Sequence, residues 1–429
     1  MKAAGQRRTL AREYRPRQFQ GVRGLLGQDH VTGVLRNQVR TGELANAYLF
    51  TGTRGVGKTT AARVLAMALN CQDKQEGEPC GSCETCARIT GGQTTMDVHE
   101  MDGATNRGVD DARDLRERLI YAPSEPGRFK VYIIDEAHML TQEAFNALLK
   151  VLEEPPPRVV FVFATTEPEK IKRLAPPILS RCQRFDFRTI SGDTIAQHLT
   201  TIAQEEDLPL TEEAAHLLAR RGRGSMRDAL TAMDQVRSFH SDPKESITGQ
   251  TIREVFNEPD ERLVLAALQI FAQAGRESDD PDEAARRSRQ RALQGVDYCT
   301  QNAVDHVEFF RSVRAGLHDI FRLKTGLAVS GWSSDGTAKL QELSTRLSPP
   351  ELQHGMRLAQ ESARQMREPG TAEDPDFVLT LFFLNVVEAL ERLRSRDREK
   401  AQKPEQEQAR AANTQGGRDA AAPSTGRAR

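Results

Sequence analysis

Gly52-Thr53-Arg54-Gly55-Val56-Gly57-Lys58-Thr59 is a complete G-x-x-x-x-G-K-[ST] loop. It follows the apolar stretch Ala47-Tyr48-Leu49-Phe50 and opens a helical pattern running from Lys58 to about Leu69. Glycines at 52, 55 and 57 let the backbone curl until successive N–H groups point inward at phosphate oxygens. Lys58 then reaches the β- and γ-phosphates, Thr59 holds Mg²⁺ with Thr60 beside it, and the helix N-terminus adds its positive dipole end. The alternative is a glycine-rich turn with no ligand; the strand before and the helix after argue against it. A nucleoside triphosphate site is expected.

The second half of such a site lies further along. Lys130-Val131-Tyr132-Ile133-Ile134-Asp135-Glu136 is a short, β-branched apolar run ending in two acids. It reads as a buried parallel strand. Ligands in an open α/β sheet sit at the carboxyl ends of strands, so both acids arrive beside the phosphates. Asp135 is expected to hold Mg²⁺ through water and Glu136 to polarise the attacking water.

Composition narrows the partners. The 429 residues exceed one ordinary core, so two or three domains are expected. Charged residues make up 28% with a net charge of −1, so any nucleic-acid contact has to come from a local basic surface. The longest apolar run, about 377–387, is interrupted by Thr380 and Asn385 and is too short to span a membrane. Met1 to Arg8 has no apolar core of a signal peptide. A soluble, cytoplasmic protein with no membrane partner is expected.

Four of the six cysteines cluster as Cys71, Cys80, Cys83 and Cys86 in a C-x8-C-x2-C-x2-C pattern. In a reducing compartment that spacing reads as a tetrahedral Zn²⁺ site, with Gly77, Pro79, Gly81 and Ser82 supplying the turns. Four thiolates leave no open coordination position, so the metal is structural. A redox pair or free thiols are the alternatives. Cys182 and Cys299 are isolated and read as packing residues.

Strands are expected at 47–51, 97–101, 130–134, 159–164 and 183–187, with helices between them. One of these is 142–154, where Phe145, Leu148, Leu149 and Leu152 form one face ahead of Pro155-Pro156-Pro157. The alternation predicts a doubly wound parallel α/β sheet. Beyond about 190 the patterns are helical. The expected division is an α/β nucleotide-binding domain at 1–190 with a zinc-binding insert at 71–86, a small helical domain at 191–255, an all-α domain at 256–393, and a disordered tail at 394–429. The charged stretch 274–295 reads as an inserted or extended loop, and the tail has no branched aliphatic or aromatic residue.

Further segments carry a family resemblance: Tyr14-Arg15-Pro16, Gly27-Gln28, Asn70-Cys71, the cysteine cluster, Tyr121-Ala122-Pro123, and Phe129 through Leu140. So do Phe145-Asn146-Ala147-Leu148-Leu149-Lys150, Leu152-Glu153-Glu154-Pro155-Pro156, Ala164-Thr165-Thr166, Ile178-Leu179-Ser180-Arg181-Cys182 and Gly224-Ser225-Met226-Arg227-Asp228-Ala229-Leu230. From about residue 10 to 240 the chain resembles the γ/τ subunits of the bacterial DNA polymerase III clamp loader. The resemblance implies an AAA+ P-loop ATPase with a helical lid and an all-α oligomerisation collar. It also implies a pentameric loader containing further copies of the chain with δ and δ′ subunits, acting on the β sliding clamp and primer–template DNA in the replisome.

By that resemblance Thr165 is a sensor of the γ-phosphate, and Arg181 is an arginine finger acting on a neighbouring subunit's ATP. Arg227 reaches from the lid to the nucleotide. Ser225 followed by Asp228 reads as a capping-box variant that places Arg227 in a first helical turn, where a cation opposes the dipole and so answers some other anion. Arg107 and Arg113, in the segment 102–113, are candidates for phosphate contacts with DNA; an exposed mixed-charge helix is the alternative. The ATPase pair is the one carboxylate constellation found, so no polymerase site is expected and any polymerase activity belongs to the holoenzyme. Two departures stand out. The link Phe19–Gln28 is longer than usual in the family, and the short tail resembles the short γ form rather than the longer τ.

Overall fold

The computed structural model describes residues 9–21, 23–93, 95–105, 123–240, 245–274, 276, 280–366 and 374–416. The chain divides into two compact units between Ile252 and Arg253.

The first unit is built on five parallel strands: β1 (Ala47–Thr51), β2 (Val98–Asp102), β3 (Lys130–Asp135), β4 (Val159–Thr165) and β5 (Gln183–Asp186), in the order β2-β3-β4-β1-β5. Each falls within a residue or so of its expected span. Side chains alternate across the sheet with period two. Tyr48, Phe50, Val131, Ile133, Val160 and Val162 face the helices Asp29–Thr41 and Lys58–Asn70. Ala47, Leu49, Tyr132, Ile134, Phe161 and Phe163 face the helix Gln142–Glu153, through Phe145, Leu148 and Leu152. Both faces are covered, so β1 and β4 are buried along their whole length, as a doubly wound α/β sheet requires. The order also places the end of β4 between the ends of β1 and β3. Thr165 is thereby set between the loop after β1 and the acids ending β3.

Three helices follow, Gly192–Glu205, Glu212–Gly222 and Met226–Phe239. Each starts at a hydroxyl side chain, Ser191, Thr211 or Ser225, that accepts the N–H three residues on.

In the second unit the described residues of the core lie on helices and their caps, with Phe271, Phe309, Phe310, Phe382 and Phe383 packed ring against ring. One expectation needs correction here. The stretch 274–295 is largely not a loop, because Pro281–Gln301 is one helix capped by Asp280. Its buried stripe is Ala284, Ser288, Ala292, Val296 and Cys299, which are small residues at helical spacing whose weak hydrophobicity hid the periodicity.

The helix beginning at Pro375 runs past 393 to Gly416. Arg394 is buried within the unit, bonded to Glu351 Oε1 at 2.5 Å and to the carbonyls of Ala274 and Phe271. Residues 417–429 lie outside the described residues. No helix among the described residues is long and apolar enough to cross a membrane.

Candidate functional site

The loop after β1 takes the shape its glycines allow. Gly52, Gly55 and Gly57 have φ of 144°, 78° and 106°, values that L side chains rarely adopt. At Gly55 a Cβ would collide with Ser225 Oγ, the cap of the helix Met226–Phe239. The loop thus touches the start of a helix that follows it by some 170 residues of sequence. Behind the loop, Lys58 starts the helix Lys58–Asn70. Its amino group is buried and donates to the carbonyls of Gly52 at 2.7 Å and Thr53 at 2.8 Å. Burial draws its pKa down, and the nearby carboxylates of Glu136 and Asp135 oppose that shift.

Thr59 Oγ1 donates to Asp135 Oδ2 at 2.7 Å, which joins the loop directly to the end of β3. Glu136, the next residue, has φ of 46°, a left-handed backbone at the point where the strand ends. It accepts a hydrogen bond from Thr166 Oγ1 at 3.2 Å. Thr165 is fully buried at the end of β4, where its hydroxyl takes the N–H of Glu167 at 3.0 Å and meets His138 Nδ1 at 3.1 Å.

A cavity of ≈ 450 Å³ opens over these groups. Gly55, Gly57, Lys58, Thr59, Thr60, Asp135, Glu136 and Arg227 line it together, so one concave site gathers most of the residues expected to meet the nucleotide, though not Gly52. Arg227 arrives on the first turn of the helix capped by Ser225, as the capping pattern requires. Tyr14, Arg15, Pro16 and Leu25 also line it. Arg15 is brought down to about 10 by burial and by the guanidinium of Arg63, with Glu100 opposing and Arg227 adding to the shift.

Neither Thr165, which is fully buried, nor Arg181 lines this cavity. Arg181 follows the short helix Pro176–Leu179 and is exposed, with its guanidinium on Glu153 at 2.6 Å and on the Pro177 carbonyl at 2.8 Å. Arg107 and Arg113 lie outside the described residues.

Sequence reasoning missed His138, Glu153 and any role for Arg15. The available signal for His138 was its place three residues after Asp135, within the turn that closes β3. For Glu153 and Arg181 no spacing rule pairs residues so far apart.

The cysteine cluster sits at the far end of the helix that begins at Lys58. Cys71 follows its last residue, and Cys86 lies on the helix Glu84–Thr90. The four sulfurs lie within 4.8 Å of one another, against the about 3.8 Å that a tetrahedron of 2.3 Å Zn–S bonds would give. The N–H groups of Cys80 and Cys83 already point at the sulfurs of Cys71 and Cys80, at 3.3 and 3.2 Å. Burial pushes the thiols of Cys71 and Cys86 up. Cys80 is also penalised by burial, yet is drawn down to about 6 by the N–H groups of Ser82 and Cys83 and by the neighbouring thiols. The donor set, its compactness and its N–H···S bonds fit a Zn²⁺ ion.

Comparison with known proteins bears on the same half of the chain. Residues 27–191 match the family described as "DNA polymerase III, delta subunit", and residues 194–239 match "DNA polymerase III clamp loader subunit, ATPase lid domain". The DNA polymerase III subunit tau of Bacillus subtilis is 46% identical over 233 residues, which is 54% of this chain and 40% of that protein. Its counterpart in Escherichia coli is 47% identical over 226 residues, 53% of this chain and 34% of that protein. The chain therefore spans less than half the length of these relatives. Among solved structures, the Thermotoga maritima RuvB Holliday junction branch migration motor is 19% identical, covering 61% of this chain and 82% of that one with a TM-score of 0.42.

Proposed function

Residues 27–239 of this chain belong to the γ/τ clamp-loader family of bacterial DNA polymerase III, and on that premise we propose that the chain is an ATP-driven motor that opens a sliding clamp and loads it on primer–template DNA. What supports an active motor above all is the 2.7 Å hydrogen bond from Thr59 to Asp135, at the mouth of a glycine loop and next to Glu136. A subunit that had lost hydrolysis would have no use for this complete set.

In this reading the N–H groups of residues 52–59 cradle the phosphates, and Gly52, Gly55 and Gly57 admit them. Lys58 exchanges the carbonyls of Gly52 and Thr53 for phosphate oxygens, which is chemically favourable for an ammonium group. Thr59 and Asp135 would hold Mg²⁺, whose charge, when bound, neutralises the β- and γ-phosphate oxygens. Glu136 orients and polarises the water for in-line attack. Thr165 senses the γ-phosphate, and Arg227 reaches the nucleotide from the lid. Arg181 completes the site of an adjacent copy and stabilises the charge that spreads onto the transferring phosphoryl group. Cys71, Cys80, Cys83 and Cys86 would hold Zn²⁺ as a closed structural centre.

The domains in this reading are a nucleotide-binding base at 1–190 with a zinc-binding insert at 71–86, a lid at 191–255 and an oligomerisation collar at 256–393, with a tail from 394. The partners are δ, δ′, further copies of the chain, the β clamp and primed DNA, with Arg107 and Arg113 as contacts to its phosphates. The setting is the cytoplasmic replisome.

Steady-state ATPase of the purified chain tests this reading, alone and then with δ, δ′, clamp and primed DNA. Strong stimulation by clamp with primed DNA, lost in Glu136→Gln and in Arg181→Ala, is the expected result. A rate indifferent to the clamp, or driven equally by any branched DNA, would overturn it.

A further inference from the structure

His138 is 6% exposed and lies in the one-turn helix Ala137–Met139 that follows Glu136. Three polar groups from two strand ends surround its ring. Nδ1 lies 3.1 Å from Thr165 Oγ1 and 3.4 Å from Glu136 Oε2, while Nε2 lies 3.3 Å from Glu167 Oε1. One edge of a buried imidazole therefore faces both the residue read as activating water and the residue read as sensing the γ-phosphate. The other edge faces an exposed carboxylate.

We infer that His138 is a positioning residue for hydrolysis, whose Nδ1 edge holds Glu136 and sets the direction in which Thr165 donates its hydroxyl proton. The inference rests on the reading of this site as an ATPase centre.

Hydrogen-bond accounting at Thr165 carries it. A threonine hydroxyl has one proton and two lone pairs. One lone pair takes the N–H of Glu167 at 3.0 Å. If Nδ1 carries a proton, that proton fills the second lone pair and also faces the Glu136 carboxylate, which can only accept. The Thr165 proton then has no acceptor on the His138 side and is available for a phosphate oxygen or the attacking water. If Nδ1 is bare, it takes the threonine's proton for itself and presents a lone pair to Glu136. Only the first arrangement satisfies both neighbours. Thr166 Oγ1 on Glu136 Oε2, at 3.2 Å, holds the same carboxylate oxygen from a second direction.

Amide substitutions separate the two edges of the ring. An asparagine at 138 places an N–H near the position of Nδ1, and a glutamine places one near Nε2. The assay is ATP turnover by the full chain assembled with δ, δ′, clamp and primed DNA. Affinity is read in parallel with a fluorescent ATP analogue.

The expected result is that His138→Asn stays within about threefold of wild type in kcat while His138→Gln loses roughly thirtyfold or more, on the scale of a misplaced reacting group. The affinity should stay within about twofold in both. A double-mutant cycle adds a readout that loss of packing alone would not produce. If the ring acts through Thr165, His138→Gln costs little further in a Thr165→Val background.

Equal losses in Asn and Gln, a matching loss of affinity, or full additivity with Thr165→Val would overturn the inference. Wild-type turnover in Glu136→Gln would instead show that the ATPase reading of the site has failed.

Discussion

The guanidinium of Arg181 is held in its own chain by Glu153, at 2.6 Å, and by the carbonyl of Pro177, at 2.8 Å. Its side chain is 32% exposed and that of Glu153 50%, so water screens the pair. An exposed pair of this kind contributes about 0–1 kcal/mol. Such a contact aims a side chain without committing it, and a phosphate could replace the carboxylate at small cost. In assembled loaders, Arg181→Ala should lower kcat by roughly 10³-fold, as loss of an arginine finger does, while leaving the chain's own ATP affinity unchanged. Glu153→Ala should lower kcat by only a few-fold. Single-turnover hydrolysis in loaders mixing Arg181→Ala with Lys58→Met chains makes the check. Rates independent of the mixing ratio would rule out a finger shared between copies.

The cysteine module is tied to the segment that follows the cavity-lining residues Tyr14, Arg15 and Pro16. The Glu78 carboxylate accepts the N–H of Phe19 at 2.8 Å and of Gln20 at 3.1 Å, and Arg36 links Gln20 Oε1 to the carbonyl of Glu76 at 2.9 and 3.1 Å. Tyr14, Arg15 and Pro16, a few residues earlier, line the cavity itself. Stripping Zn²⁺ with a chelator, or Cys83→Ser, should loosen this segment and weaken ATP binding by about three- to tenfold, ~1 kcal/mol. Titration with a fluorescent ATP analogue before chelation, after it, and after Zn²⁺ is restored measures the effect. Unchanged affinity would mean that the module braces only itself.

In the second unit, Glu351 and Arg394 form a buried ion pair at 2.5 Å. Burial alone would raise the Glu351 carboxyl. The Ser348 N–H and the Arg394 guanidinium outweigh burial and hold it below its ordinary value. A carboxylate depressed in the folded state stabilises fully above its unfolded pKa of about 4.3. That contribution is lost as pH falls through the lower folded value. Urea unfolding of the wild type should therefore show a stability that declines below about pH 4.3, with a shallower decline in Glu351→Gln. Arg394→Ala leaves a buried carboxylate unpaired and should cost about 3–5 kcal/mol. If Arg394→Ala unfolded like the wild type, the helix beyond 393 would have no part in holding this unit together.

The parts of this chain that were legible in the sequence are those where a local pattern and a burial requirement coincide. Val159 to Ala164 is apolar throughout because both faces of the sheet are covered, and that continuity marks a parallel strand without any knowledge of its neighbours. The glycine loop was legible because its spacing is its mechanism. Other features depend on residues far apart. The helix Pro281–Gln301 was hidden because Ala284, Ser288 and Ala292 bury so little apolar surface per residue. Arg394 sits in a polar run, and only the three-dimensional packing reveals its partner Glu351. His138 gains its neighbours from the order β3-β4 in the sheet, which brings Thr165 and Glu167 to the turn after Asp135.

Gly55 and Ser225 show how the loop and the lid constrain each other. Gly55 holds φ at 78°, and a Cβ there would collide with Ser225 Oγ. That oxygen accepts the N–H of Asp228 at 3.2 Å and starts the helix that carries Arg227. Gly55→Ala therefore meets two separate penalties. The left-handed backbone costs about 1–2 kcal/mol for a residue with a Cβ, and the collision displaces either the loop or the cap. ATP affinity should fall by more than the backbone penalty alone predicts, and the melting temperature should fall with it. Ser225→Gly removes the colliding oxygen while costing the helix start only a few tenths of a kcal/mol, since glycine is a tolerable cap. The double variant Gly55→Ala, Ser225→Gly should thus recover part of the lost affinity, leaving a deficit close to the backbone term. Calorimetric titration with a non-hydrolysable ATP analogue, run on both single variants and the double, separates the penalties. Strict additivity between the two substitutions would mean that loop and cap do not press on one another when nucleotide is bound.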